Sequence, residues 1–209
     1  PLEKVLDDLE ANPAYPAVLV EPADNIGGGA AGDNTQVLRE LVRREVPLSG
    51  IILWDPESIK KLQSHQAGDK LTLDLGGKSG EIGAEPLSLE VELLSLSDGN
   101  YTLEDPHSHL GSAWGLHIKM GPSAVVRHRD CVILLTSIPS PPFDRAQWRS
   151  QGFNPEDFHY INAKAAVAFR QAYEPIAKSI RYIDTIGPCT SNLHSLPFKN
   201  LKRPIWPFD

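Results

Sequence analysis

Hydrophobic residues in the first third of the chain alternate between helical spacing and the continuous runs of buried strands. Residues 2–10 and 34–45 repeat apolar side chains every three or four positions, which predicts two amphipathic helices. Residues 17–20 and 50–54 are short apolar runs that predict strands, and the second suits a strand buried on both faces. A short helix is predicted to begin at Asp55-Pro56-Glu57, with the proline in its first turn. This order of strand, loop, helix, strand and helix predicts an α/β unit.

The remainder of the chain is richer in predicted strands. Residues 70–75 and 87–93 alternate polar and apolar side chains, which is typical of strands with one exposed face. Five further strands are predicted at about 115–119, 123–128, 131–137, 158–162 and 181–184. A helix at 144–152 has Asp144 as a candidate N-cap, and alanine content predicts another at 163–172. We therefore expect one compact domain of mixed α/β class over residues 1–209, with a β-rich insertion at about 69–137.

Composition places the chain among ordinary globular proteins and argues against two classes of partner. Its formal net charge is −7, whereas a nucleic-acid binder usually carries a basic patch. No apolar run is long enough to span a membrane. Cys131 and Cys189 are too few for a disulfide framework, so a cytoplasmic location is expected. The sequence starts at Pro1, with helical spacing from its first residues, so we expect it to be a piece of a longer polypeptide.

The segment EPADNIGGGAAGDNT, residues 21–35, lies between the first strand and the second helix. Its four glycines lie within six residues, and backbone N–H groups of such a loop can converge on an oxygen-rich ligand. Asp24 and Asn25 follow a predicted strand directly, at the edge where α/β sheets bind ligands. The structural alternative is that both side chains cap the glycine turn locally. Asp33, three residues before Gln36, is interpreted as a helix-start feature, and Asn34 or Thr35 as the cap of the second helix.

Other candidate residues are more ambiguous. Lys164 can pair with a substrate carboxylate or with an acidic neighbour, and both interpretations stay open. Thr190 and Ser191 can donate hydrogen bonds to a ligand or form a local turn. His107-Ser-His109 is the closest approach to a metal motif, but neighbouring Pro106 and Gly111 indicate a solvated loop. The Gly-Lys-Ser at 77–79 lacks the glycine spacing of a phosphate-binding loop.

The run ADNIGGGAAGDNT, residues 23–35, resembles the motif A-D-N-x-G-G-G-x-x-G-D-x-T. This motif opens the C-terminal domain of the microcystinase C (MlrC) family of proposed zinc metallopeptidases. Several later segments agree with the family in order, among them Trp54-Asp-Pro-Glu57, Gly121-Pro-Ser-Ala-Val125, Tyr173-Glu-Pro-Ile176 and Arg203-Pro-Ile-Trp-Pro207. One departure concerns the family pattern Lys-Ser-x-x-His-Phe-Arg. Ala165 and Ala168 stand here at its serine and histidine positions.

The resemblance implies a peptidase that cleaves small or linearised peptides, as in microcystin degradation. It implies that zinc is held by a larger N-terminal domain of the same polypeptide, so that this chain binds no metal and is inactive alone. The chain would border the substrate cleft through the residues Asp24, Asn25, Gly27, Gly28, Gly29, Lys164, Thr190 and Ser191. A homo-oligomer is compatible with the sequence. Two alternatives remain, namely a non-catalytic binding or assembly module in which the glycine loop is structural, and a phosphate- or nucleotide-binding domain.

Overall fold

Ten strands and six α-helices make up the fold, and the computed structural model describes residues 1–209. The strands are β1 (Ala17–Val20), β2 (Ser49–Trp54), β3 (Lys70–Leu75), β4 (Leu87–Ser97), β5 (Asn100–Thr102), β6 (His117–Lys119), β7 (Ser123–His128), β8 (Cys131–Thr136), β9 (Tyr160–Ala163) and β10 (Ser179–Tyr182). The helices are α1 (Leu2–Ala11), α2 (Gln36–Arg43), α3 (Pro56–Leu62), α4 (His109–Trp114), α5 (Ala146–Arg149) and α6 (Arg170–Tyr173). None of these helices is long and apolar enough to cross a membrane.

Eight of the strands form one sheet in the order β10-β1-β9-β2-β8-β7-β4-β3. The five strands from β10 to β8 are parallel, and the last three are antiparallel to their neighbours. The β-rich region predicted at 69–137 therefore continues the parallel sheet, because β8 pairs with β2. Only β5 and β6 form a separate small sheet. The mixed α/β class is confirmed.

Apolar side chains cover both faces of the parallel strands. Leu19 of β1 points to the core beneath α1, α2 and α3, whereas Val18 and Val20 point to the opposite core. That second core contains the large aromatic residues Trp148, Phe158, Phe169 and Tyr173. Successive side chains of a strand point to opposite faces of the sheet. Because both faces are buried here, successive positions are apolar, which gives the continuous apolar runs of β1 and β2. Each fully buried aliphatic or aromatic side chain contributes about 1.5–3 kcal/mol.

The helix predicted at 163–172 is wrong. Ala163 ends β9, where it pairs with Val20, and a helix forms only at Arg170–Tyr173. Alanine has a high but small intrinsic preference for helix, and pairing within a buried sheet outweighs it here. The helix predicted at 144–152 is shorter and covers Ala146–Arg149. Asp144 precedes it and accepts a hydrogen bond from the N–H of its first residue, Ala146.

Candidate functional site

The carboxyl ends of the parallel strands gather the polar residues of the site at one edge of the sheet. Val20 of β1 lies level with Ala163 of β9 and with Tyr182 of β10. The residues that follow these strands therefore meet. They include Glu21, the glycine loop, Lys164 and the segment after β10. Ligands of open α/β sheets bind at this edge.

Lys164 lies at the centre of a buried ion cluster. Its Nζ lies 2.7 Å from an Asp24 carboxylate oxygen and 3.0 Å from a Glu21 carboxylate oxygen. It also donates to the carbonyl oxygen of Asn34 at 2.8 Å. The Lys164 side chain is only 2% exposed, and those of Glu21 and Asp24 are 0% and 2% exposed. Lys164 therefore fixes the glycine loop to β9 and to β1.

Burial and charge act against each other within this cluster. Burial raises the pKa of Glu21 above its ordinary value, and the nearby Lys164 ammonium offsets this only in part. Burial lowers the pKa of Lys164, but the carboxylates of Asp24 and Glu21 outweigh it, so the net direction is upward. Lys164 is consequently a charged residue at neutral pH. Glu21 is also held by Asn162 at 3.2 Å and by the Thr185 hydroxyl at 3.1 Å.

The N–H groups of the glycine loop do converge on oxygen atoms, but these oxygens belong to the chain itself. The Asp24 carboxylate accepts hydrogen bonds from the N–H groups of Gly32 and Asn34, each at 2.9 Å. The Glu81 carboxylate accepts from the Ala31 N–H at 3.1 and 3.2 Å. The Asp24 side chain therefore caps the glycine loop, as in the structural alternative. The side-chain oxygen of Asn25 is buried without a hydrogen-bond partner.

Asp33 binds the loop between β3 and β4 rather than the start of α2. Its carboxylate accepts hydrogen bonds from the N–H groups of Lys78 and Ser79, each at 2.7 Å, and from the Ser79 hydroxyl at 2.9 Å. The interpretation of Asp33 as a helix-start feature is therefore wrong. Asn34 has that role, because its side-chain oxygen accepts from the Gln36 N–H at 2.8 Å. Two loops far apart in sequence are held together in this way.

A second ion pair joins the end of β2 to the same loop. The Lys78 ammonium lies 2.7 and 2.8 Å from the two carboxylate oxygens of Asp55, which is fully buried. Asp55 also accepts a hydrogen bond from the Ser58 N–H, as the N-cap of α3, and another from the Gly76 N–H. Sequence reasoning missed both this pair and the role of Glu21. The available signal was an acidic residue directly after each buried strand.

The exposed part of this edge consists of the glycine loop and the segment after β10. Gly27, Gly28 and Gly29 face solvent, as does Ser191. Ser191 and the buried Thr190 line a cavity of about 380 Å³ together with Pro22, Ala23, Tyr182, Asp184 and Asn192. The Cys189 N–H donates to the Ala23 carbonyl at 2.9 Å, so the two segments pack directly together. All eight predicted cleft residues therefore lie at one edge, with Asp24 and Lys164 buried beneath it.

The donor set at this edge does not fit a metal ion. No three histidine, cysteine, aspartate or glutamate side chains are placed to share one. The carboxylates of Asp24, Asp33 and Asp55 are already bound by lysine or N–H groups.

The segment His107-Ser-His109, predicted as a solvated loop, contains the start of α4. Ser108 is the N-cap of this helix, and the His109 ring lies 6.3 Å from the Phe143 ring, centroid to centroid.

Comparison with known proteins relates the chain to one family. The family model described as MlrC C-terminus matches residues 19–200. Microcystinase C of Sphingomonas sp is 26% identical over 201 residues, which cover 96% of this chain and 37% of that protein. A crystal structure from Mesorhizobium sp. BNC1, provisionally described as a metallopeptidase, superposes with a TM-score of 0.82 at 19% identity. It matches 100% of this chain and 40% of its own length, and at this identity it supports the fold alone. The chain thus spans about two fifths of both relatives, and it belongs to the MlrC C-terminus family.

Proposed function

We propose that this chain is the C-terminal domain of a zinc metallopeptidase related to microcystinase C. In this proposal residues 1–209 form one domain that borders the substrate cleft and does not catalyse hydrolysis alone. The observation that supports it most strongly is the exposed surface at the carboxyl edge of the sheet. Gly27–Gly29 and Ser191 face solvent there, above a buried framework of charged residues.

Two physical features of the glycine loop suit it to bind a peptide, namely an accessible backbone and a rigid support. A backbone without side chains lets a ligand backbone approach closely, which suits an extended or linearised peptide. The Lys164 cluster holds the loop from below, so little conformational freedom is lost when a ligand binds. Asn25, Thr190 and Ser191 would supply the polar contacts that orient the peptide.

Catalysis is assigned to another part of the polypeptide because the residues of this chain do not fit a metal site. Relatives carry more than half of their length outside the matched region, which leaves room for such a domain. A metal ion there would polarise the scissile carbonyl or activate water. We place the whole protein in the cytoplasm.

The first test uses the isolated chain with zinc and short peptides. We expect no turnover above background. Hydrolysis by residues 1–209 that a chelator abolishes would contradict the assignment of the metal site to another domain.

The second test uses the full-length polypeptide. Ser191→Trp places a large side chain at the exposed rim, and Ser64→Trp is the matched control, since Ser64 is an exposed serine beyond the far end of α3. We expect Ser191→Trp to lower kcat/KM for a peptide by about tenfold or more, because displacing a bound group costs over 1.4 kcal/mol. The melting temperature should stay unchanged in both variants. Equal activity of both variants would rule out a cleft at this edge.

The second candidate function is a non-catalytic binding or assembly module with a purely structural glycine loop. One observation favours it, namely that Asp24 occupies the N–H groups of Gly32 and Asn34, and Glu81 occupies that of Ala31. The same occupancy argues against phosphate binding, which would need those N–H groups. Under this alternative Ser191→Trp leaves turnover unaffected, so the second test separates the two.

A further inference from the structure

The geometry points to residues 193–209, which we call the C-terminal arm, as a docking element whose anchor is Trp206. Its partner in this inference is the larger remaining part of the same polypeptide, so the inference rests on the proposed function. The arm binds that part through an indole placed in an apolar pocket with an acidic rim.

The arm is shaped by contacts within itself. The Arg203 guanidinium lies 2.5 Å from the Asp209 carboxylate, which also accepts a hydrogen bond from the Ile205 N–H at 2.8 Å. The Phe208 ring packs against His194 at 4.8 Å and against Phe198 at 5.6 Å between centroids. The first two contacts close residues 203–209 into a turn, and the two ring contacts pack this turn against the earlier part of the arm.

The closed turn presents apolar side chains to solvent. Trp206 is 84% exposed, the most of any large hydrophobic residue in the chain, and Ile205 and Phe198 are 42% and 47% exposed. Tryptophan is among the residues that contribute most to binding at interfaces. A turn that is already closed loses little conformational entropy when it docks. The arm therefore has the features of a preorganised anchor rather than of a loose terminus.

Charge and position indicate what the arm binds. Exposed Lys199 and Lys202 lie just before the turn, and the single acid of the arm, Asp209, is paired with Arg203. An acidic rim around the pocket would complement this charge. The arm leaves the domain beside the proposed cleft, because Asn192 lines the same cavity as Ser191. A partner that covers the cleft edge is therefore next to the arm.

Length and symmetry favour the rest of the polypeptide over a second copy of this chain. The matched region is only 37% and 40% of the two relatives, so a large neighbouring part exists in both. A two-fold contact between arms would bring Lys199 and Lys202 of both copies into one interface, with no unpaired acid of the arm to neutralise them. Like charges facing each other across an interface oppose association.

The experiment compares Trp206→Ala with Trp114→Ala in the full-length polypeptide. Trp114 is the matched control, because it is a tryptophan that is 56% exposed on α4, outside the arm. Amide hydrogen exchange and small-angle X-ray scattering report docking without reference to catalysis. Trp206→Ala should speed exchange at residues 203–209 by at least about tenfold and enlarge the particle, since losing an anchor of this kind costs over 1.4 kcal/mol. Trp114→Ala should change neither.

A charge variant gives an independent measurement. Lys199→Glu with Lys202→Glu should also speed exchange at residues 203–209, and the effect should be strongest at low salt because salt screens exposed charges.

Three results would overturn the inference. One is equal exchange and scattering for both tryptophan variants. Another is a fall in the mass of the particle for Trp206→Ala, measured by light scattering, with no expansion of the single polypeptide. That result would mean that the arm joins two copies of the protein. The third is a native polypeptide with no residues beyond these 209. Only the last also removes the proposed function, whose cleft is tested separately by the kinetics of Ser191→Trp.

Discussion

Replacing Lys164 by methionine tests the buried ion cluster that supports the candidate site. Methionine nearly preserves the length of the side chain but removes the ammonium group and its hydrogen bonds to Glu21, Asp24 and the Asn34 carbonyl. Two buried carboxylates are then left without their counter-ion. Removing one partner of a buried ion pair typically costs about 3–5 kcal/mol. Because whole domains are stable by only about 5–15 kcal/mol, we expect a loss that is a large fraction of the total.

The loss should depend on pH in a defined direction. Burial raises the pKa of Glu21 above its ordinary value of 4.5, and removal of the Lys164 charge should raise this pKa further. A carboxyl group with a raised pKa in the folded state binds its proton more tightly there than in the unfolded chain. Its contribution to stability is then present below pH 4.5 and is lost as the pH rises through the folded pKa. The difference between wild type and Lys164→Met should therefore be larger at pH 8 than at pH 5.

Urea denaturation followed by circular dichroism at both pH values measures this free energy. Lys178→Met is the control, since Lys178 is an exposed lysine just before β10 and its loss should change stability by less than about 0.5 kcal/mol. A Lys164→Met loss below about 1 kcal/mol at pH 8, or a loss that grows toward acid pH, would refute the reasoning.

Two further predictions concern the surroundings of the site. Gly77 has φ +63°, and an added Cβ would lie 2.0 Å from the backbone of Glu85, so Gly77→Ala should cost over about 3 kcal/mol by urea denaturation. Gly80 has φ +78° but open space around it, so Gly80→Ala should cost only about 1 kcal/mol; equal losses would contradict the steric argument. The hydrogen bond from Arg43 outweighs partial burial and, with Arg44, lowers the pKa of Glu40 to about 2. Glu40 thus adds stability above pH 4.5 that is lost as the pH falls through about 2, and Glu40→Gln should cost about 1 kcal/mol at pH 7 and nothing near pH 2 in thermal melts.

Regular elements with a strong local pattern were predictable from the sequence. β1 and β3 have the predicted bounds, and α1 is one residue longer than predicted. Burial imposes a period of two on strands and about 3.6 on helices, so the pattern is visible in a short window. The helix predicted at 163–172 from alanine content and pattern does not form there, because pairing of β9 with β1 decides the conformation of Ala163.

The location of the site was predictable in part. Asp24, Lys164 and Ser191 were all selected from local signals, and the topology brings them to one edge. Their states of burial were not predictable, since Lys164 and Asp24 are 140 residues apart and an ion pair leaves no local trace. The pairing of Asp33 with Ser79, across 46 residues, was missed for the same reason.

The sequence by itself determined the α/β class, the glycine-rich turn after β1 and the family to which the chain belongs, because each depends on neighbouring residues or on their order. The tertiary structure alone decided that the N–H groups of Ala31, Gly32 and Asn34 bind Glu81 and Asp24 and that Lys164 is a buried counter-ion. Those roles require charges that are distant in sequence to become close in space, where exclusion of water makes each pairing strong and each missing partner costly.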